Sequence, residues 1–213
     1  MIATAPTVSE ERVVLQNVSW HFYESMLQEL GENRSVRLTY DRGVLELMSP
    51  LMPHESGKCG IDRLVAVLAE ELDLNFKSAG SLTCKREDLK RGAEPDVCYY
   101  IQNEPLIRHK EQICLPDDPP PDLVVEVEFS SSAVNKLELY AAMGVPEFWR
   151  FDGRELRVFT LEGGSYMQQD NSPTFVPISI VEIPRFLLEA KRIGEIPMVR
   201  QFRAWVQEKM IQR

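Results

Sequence analysis

The sequence predicts an α/β domain, a mixed β-sheet flanked by helices. Two observations carry this. Residues 54–72 repeat apolar side chains at helical spacing: Ile61, Leu64, Val65, Leu68 and Leu72. Around that helix, short β-branched and aromatic runs alternate with further helical stretches in the order helix, strand, strand, helix, strand, which suits a sheet covered by helices. No linker divides the chain, so residues 17–213 are read as one domain behind a flexible N-terminal arm, residues 1–16.

Val18 to Leu30, with Trp20, Phe22, Met26 and Leu27, reads as a short helix ended by Gly31. Val36–Tyr40 and Val44–Met48 are strand-like, and Asp41-Arg42-Gly43 between them is a hairpin signal. Ser49-Pro50 and Pro53 stop the second strand, and the long helix begins near His54. His54 stands one heptad before Ile61, nearly in line with the apolar face, while Glu55 stands at its margin. Phe76–Cys84 reads as a strand with a bulge at Gly80, Lys85–Gly92 as a charged loop, and Glu94–Ile101 as another strand. A polar, proline-rich connection fills residues 102–121. Ser130–Ser132 are expected to cap a helix running to Met143, which Gly144 and Pro146 end. Glu147–Asp152 and Leu156–Leu161 form the next strands around an Asp152-Gly153 turn, and Tyr166–Gln169 adds a third. The tail from Pro184 forms amphipathic helices broken near Gly194 and Pro197.

The chemistry concentrates between Pro119 and Lys136. Leu123–Phe129 has the composition of a buried strand but contains Glu126 and Glu128. Side chains alternate along a strand, so these two carboxylates and Asp122 share one face, opposite Leu123, Val125, Val127 and Phe129. An unpartnered carboxylate is costly to bury, so a bound cation would explain the pattern. An edge strand with its acids in water is the competing explanation. Pro95-Asp96 opens the preceding strand and Lys136 follows the acidic one. Two carboxylates on neighbouring strands suit Mg²⁺ or Mn²⁺, which can polarise a phosphoryl oxygen and acidify a water. An ammonium beside them can orient that water or stabilise the charge that develops.

Other chemistries drop out. There is no Gly-x-Ser-x-Gly elbow, no phosphate-binding Gly-x-x-x-x-Gly-Lys-Ser/Thr and no Gly-x-Gly-x-x-Gly. The three histidines and four cysteines have no metal or disulfide spacing, and the cysteines read as reduced thiols of a cytoplasmic protein. No apolar run is long enough for a membrane span. A net charge of -9 argues against broad charge-driven DNA binding, leaving local patches. Lys85, Arg86, Lys90 and Arg91, just before Asp96, are the candidate nucleic-acid contacts.

Glu94-Pro95-Asp96, Pro121-Asp122-Leu123-Val124-Val125-Glu126-Val127 and Tyr140-x-x-x-Gly144-Val145-Pro146-Glu147-x-Trp149 resemble the Uma-two family of bacterial endonucleases. Gly43-x-x-Glu46-x-Met48-Ser49-Pro50 and Pro53-His54-Glu55 extend the resemblance. It implies a restriction-endonuclease-like fold of the PD-(D/E)XK superfamily and a DNA endonuclease using Mg²⁺ or Mn²⁺. By that resemblance Asp96 and Glu126 bind metal and Asp96, Glu126 and Lys136 are catalytic. The superfamily lysine is expected two residues after the second acid, where this chain has Glu128; as in relatives, Lys136 on the following helix takes the role. Glu128 and Glu55 are further candidates. The resemblance also implies a homodimer. The alternatives are an inactive nuclease-fold module binding DNA or protein, and a metal-dependent hydrolase of a smaller phosphate ester.

Overall fold

The structure, a computed structural model, describes residues 10–31 and 34–212. Strand β1 (Glu11–Leu15) is followed by helix α1 (Trp20–Leu30), which Ser19 caps by accepting from the Phe22 amide and Gly31 ends. Strands β2 (Arg37–Asp41) and β3 (Val44–Ser49) form the expected hairpin. Arg42 and Gly43 both have positive φ, 46° and 97°, so a two-residue turn matches the strand twist. Helix α2 (Met52–Glu71) follows.

The expected strand over Phe76–Cys84 is two strands in different sheets: β4 (Lys77–Gly80) and β5 (Cys84–Arg86). The register slips between Ser78 and Gly80, where Gly80 has φ 56°, and the chain changes sheet beyond it. Lys85–Gly92 is likewise not a simple loop, because β5 pairs with β6 (Arg91–Ala93) across it. Strand β7 (Val97–Tyr100), the one-turn helix α3 (Glu104–Ile107) and strand β8 (Leu123–Val127) follow. Helix α4 (Lys136–Met143) starts later than expected. Its cap is Asn135, whose side chain accepts from the Glu138 amide, so Ser130–Ser132 belong to the preceding loop. Strands β9 (Glu147–Phe151), β10 (Leu156–Glu162) and β11 (Ser165–Gln169) precede helices α5 (Ile183–Ile193) and α6 (Glu195–Ile211), which Gly194 separates.

The single mixed sheet expected is two sheets. An antiparallel one has the order β1-β3-β2-β6-β5. The other has the order β11-β10-β9-β8-β7-β4 and is antiparallel except between β8 and β9. The flexible arm is also corrected in part. Residues 1–9 lie outside the described residues, but Glu11–Leu15 pair with β3 from Glu11–Ser49 to Leu15–Leu45.

Apolar side chains of β7 and β8, Val97, Tyr99, Val125 and Val127, pack with Ile61 and Leu64 of α2 and with Phe186 and Phe202 of α5 and α6. On the other face Val124 meets Leu139, Tyr140 and Phe148. Strand β8 is therefore central and covered on both faces, which rules out an acidic face in open water. Helix α1 packs Trp20 and Tyr23 on Leu38, Tyr40 and Leu45 of the antiparallel sheet. Gly92 permits that approach, since a Cβ there would stand 2.3 Å from the Tyr23 hydroxyl oxygen. Among the described residues no helix is long and apolar enough to cross a membrane.

Candidate active site

Strands β7 and β8 are antiparallel with Val97 opposite Val125, so the next step brings Asp96 across from Glu126. Directly opposed residues of an antiparallel pair face the same way. Asp96 anchors itself by accepting the Val127 amide on Oδ2 at 2.7 Å. Glu126 accepts from Lys136 Nζ at 2.6 Å and from the Tyr140 hydroxyl at 2.7 Å. Lys136 and Tyr140 are one helical turn apart, so α4 presents both to the same carboxylate. Glu128, two residues along β8's line, lies 3.6 Å from Lys136 Nζ and 2.9 Å from Arg150 Nε. The structure thus brings together Asp96, Glu126, Glu128 and Lys136; Asp96 and Glu126 are each only 1% exposed and Lys136 is 4% exposed.

Glu55 does not join them. Its side chain is 38% exposed and stands 3.8 Å from Lys58. His54, beside it, does. Its Nε2 lies 2.7 Å from Asp96 Oδ1 and its Nδ1 lies 2.5 Å from Glu10 Oε1. Two carboxylate partners require a proton on each ring nitrogen, so His54 is an imidazolium. Burial opposes that charge, but Asp96 and Glu10 outweigh it and raise the His54 pKa to about 9. Burial alone would raise the Asp96 carboxyl; the His54 hydrogen bond and charge, helped by Lys136, hold it below the ordinary carboxylate value. Glu126 goes the other way: burial raises it to about 7, Lys136 opposes, and Asp96 and Glu128 add to the rise. Lys136 is raised despite burial by Glu126, Glu128 and Asp96, so it keeps its proton.

The antiparallel sheet supplies a second tier that the sequence did not reveal. Arg12 of β1 bridges Glu10 and Glu46. Glu46 of β3 holds the loop before α4 through the Ser132 hydroxyl at 2.9 Å and the Ala133 amide at 2.6 Å. The Ser130 hydroxyl donates to Glu10 at 3.0 Å, so the serine run is an attachment point and not the helix cap. Glu94, beside the Pro95-Asp96 pair, accepts the Leu38 amide at 2.9 Å and pairs with Arg34, fixing the chain as it leaves the antiparallel sheet for β7. Asp122, at the far end of β8, accepts the Ile101 and Asn103 amides and is a local brace.

The donor chemistry fits a hard divalent cation. Asp96 and Glu126 offer oxygens, and Glu128 Oε1 is buried with no hydrogen-bond partner. Among the described residues no three His, Cys, Asp or Glu side chains form a ready-made metal cage. Mg²⁺ does not need one, because it is often held by one or two carboxylates with water completing the shell. The predicted nucleic-acid contacts are each matched by an acid: Lys85 with Glu24 at 2.9 Å, Arg86 with Asp88 at 2.6 Å, Lys90 with Glu87 at 3.3 Å and Arg91 with Asp41 at 2.8 Å.

Two sheets flanked by helices, with acids at the meeting of β7 and β8, define a restriction-endonuclease-like α/β protein. A solved structure described as a putative nuclease belonging to DUF820, from Anabaena variabilis ATCC 29413, is similar in fold, with a TM-score of 0.54 at 16% identity over 80% of this chain and 99% of that one. The Uma2 family model, described as "Putative restriction endonuclease", matches residues 20–188. The chain belongs to this family. No curated protein matches it in sequence.

Proposed function

We propose that the chain is a DNA endonuclease dependent on Mg²⁺ or Mn²⁺. The observation that carries this is the convergence of Asp96, Glu126 and Lys136 in one buried cluster within a nuclease family's fold. Asp96 and Glu126 would hold the cation, which supplies Lewis acidity toward the phosphoryl group. His54 keeps Asp96 ionised and fixed in place. Tyr140 orients Glu126. The Lys136 ammonium donates to the attacking water or to the charge developing on the phosphate, and Glu128 keeps it aimed between the two acids. Plasmid nicking in Mg²⁺ or Mn²⁺ tests this: the native chain nicks and Asp96→Ala does not. Nicking by Asp96→Ala at the native rate overturns it.

One observation favours the non-catalytic DNA- or protein-binding module. Each carboxylate oxygen of Asp96 and Glu126 already has a protein partner, so the cluster is satisfied without a cation. Titration with Mg²⁺ or Mn²⁺ separates the readings, since a module of that kind binds no ion at millimolar concentration.

We also propose a homodimer. Strand β1 is an open sheet edge with Val13, Val14 and Leu15 exposed, and such edges favour pairing with a second copy. A monomeric mass by light scattering at micromolar concentration contradicts it. The four cysteines are free thiols, in keeping with a cytoplasmic setting.

A further inference from the structure

The cations expected to meet DNA are neutralised, and the uncompensated ones lie elsewhere. A surface cleft of about 530 Å³ opens between the β2 end of the antiparallel sheet and edge strand β4 of the other sheet. Its walls include the cations Arg34, Arg37, Lys77 and Lys110 and the acids Glu94 and Glu111, a positive balance. Arg34 is matched by Glu94 and Lys110 by Asp118. Arg37 and Lys77 are not: among the described residues neither has a carboxylate within 4.0 Å. The Lys77 ammonium spends its donors on backbone carbonyls, those of Ile107 at 3.0 Å and Lys110 at 2.7 Å, so its position is fixed without a carboxylate in contact. Arg37 is held by one bond, Nη1 to the Ser81 hydroxyl at 3.0 Å, and its Nε is buried without any acceptor. A buried guanidinium donor with neither acceptor nor counter-charge is costly. An anion entering the cleft supplies the missing counter-charge, and a planar guanidinium matches phosphate oxygens in particular.

We infer that this cleft seats a phosphodiester of the DNA strand, gripped by Arg37, while Lys77 supplies positive field. The inference rests on the nuclease reading above. Glu94, a wall of the cleft, is two residues from Asp96, so the two sites flank the same short segment. Against a net charge of -9, a fixed cationic cleft gives the backbone a local foothold.

Binding of a short DNA duplex to the full chain, followed by fluorescence anisotropy without divalent cation and across KCl concentrations, tests this. Losing one phosphate contact reduces the slope of log affinity against log salt by about 0.9. Arg37→Gln shows that reduction and weaker binding; Arg37→Lys, which keeps the charge, recovers most of the slope. Lys90→Gln, whose lysine is already paired with Glu87, leaves the slope unchanged. In nicking assays Arg37→Gln raises KM and leaves kcat near native. Native affinity and slope in Arg37→Gln overturn the cleft while leaving the nuclease reading intact. A native chain that neither binds nor nicks DNA overturns both.

Discussion

Two buried glutamates on neighbouring strands separate function from architecture. Glu126 on β8 and Glu147 on β9 are 1% and 2% exposed, and burial raises the pKa of both. The strands run parallel with Leu123 beside Glu147 and Glu126 beside Arg150, so the two acids occupy opposite ends of the pair. Glu147 has neutral donors: Trp149 Nε1 at 2.6 Å and the Thr174 hydroxyl at 2.5 Å. Glu126 faces a lysine and has two other acids as neighbours. Neutral donors satisfy a carboxyl group and tie β9 to the loop that carries Thr174. A crowded set of like charges around one ammonium is hard to justify by stability alone, because buried charge carries a desolvation cost that apolar packing avoids. Burial by itself marks neither residue as functional; the company each keeps does.

The comparison can be broken by substitution at either end. The largest effect belongs to the Glu126 end. Asp96→Ala and Glu126→Ala abolish plasmid nicking and also the calorimetric signal of Mg²⁺ or Mn²⁺ binding. Lys136→Ala retains the ion and slows turnover by about 10²–10³-fold, the magnitude expected when a donor to the transition state is removed. Native turnover in Lys136→Ala removes the lysine from the chemistry. Metal-bound Lys136→Ala also sharpens the comparison, because it separates the group that serves the reaction from those that serve the ion.

Glu147→Ala leaves nicking unchanged per folded molecule but destabilises the fold by about 1–3 kcal/mol, since the buried Trp149 Nε1 loses its acceptor. Denaturant melts with m-value analysis measure that directly. The pH dependence follows from the raised pKa. Folded Glu147 holds its proton to higher pH than unfolded chain does, so its contribution to stability declines as pH rises above the ordinary carboxylate value of 4.5. In Glu147→Gln that part of the decline disappears; an unaltered pH–stability curve contradicts the shift. The smallest effect is at Glu55, half-exposed beside Lys58. Glu55→Ala changes stability by less than about 0.5 kcal/mol and leaves nicking at the native rate. A substantial loss of nicking returns Glu55 to the site.

Asp96, Glu126 and Lys136 were legible because local rules place them. Alternation along β8 puts Glu126 and Glu128 on one face, and a short connection returns Lys136 to that strand's end. Glu10 and Arg12 were not legible, and Glu46 only as a position in the family motif, since all three hold the distant loop before α4 and no local pattern announces such a partner. His54 lay nearly in line with an apolar helix face and within the family motif, but neither announced that its ring closes an ion pair at each end. The serine run misled for a related reason: three hydroxyls before a helix look like a cap, but Asn135 was nearer the first turn. The family resemblance anticipated the class of fold, while the division into two sheets depends on the break after Gly80, which looked like a bulge within one strand.

The clasp between Ser130 and Glu10 joins residues 120 positions apart in the chain. Contacts so distant form only after loop closure across most of the polypeptide. A ribosome-bound chain that has reached β8 has both acids but not yet Lys136 or Tyr140. The cluster is therefore completed only after α4 has been made, so translation itself sets the earliest moment at which the acids gain their ammonium partner.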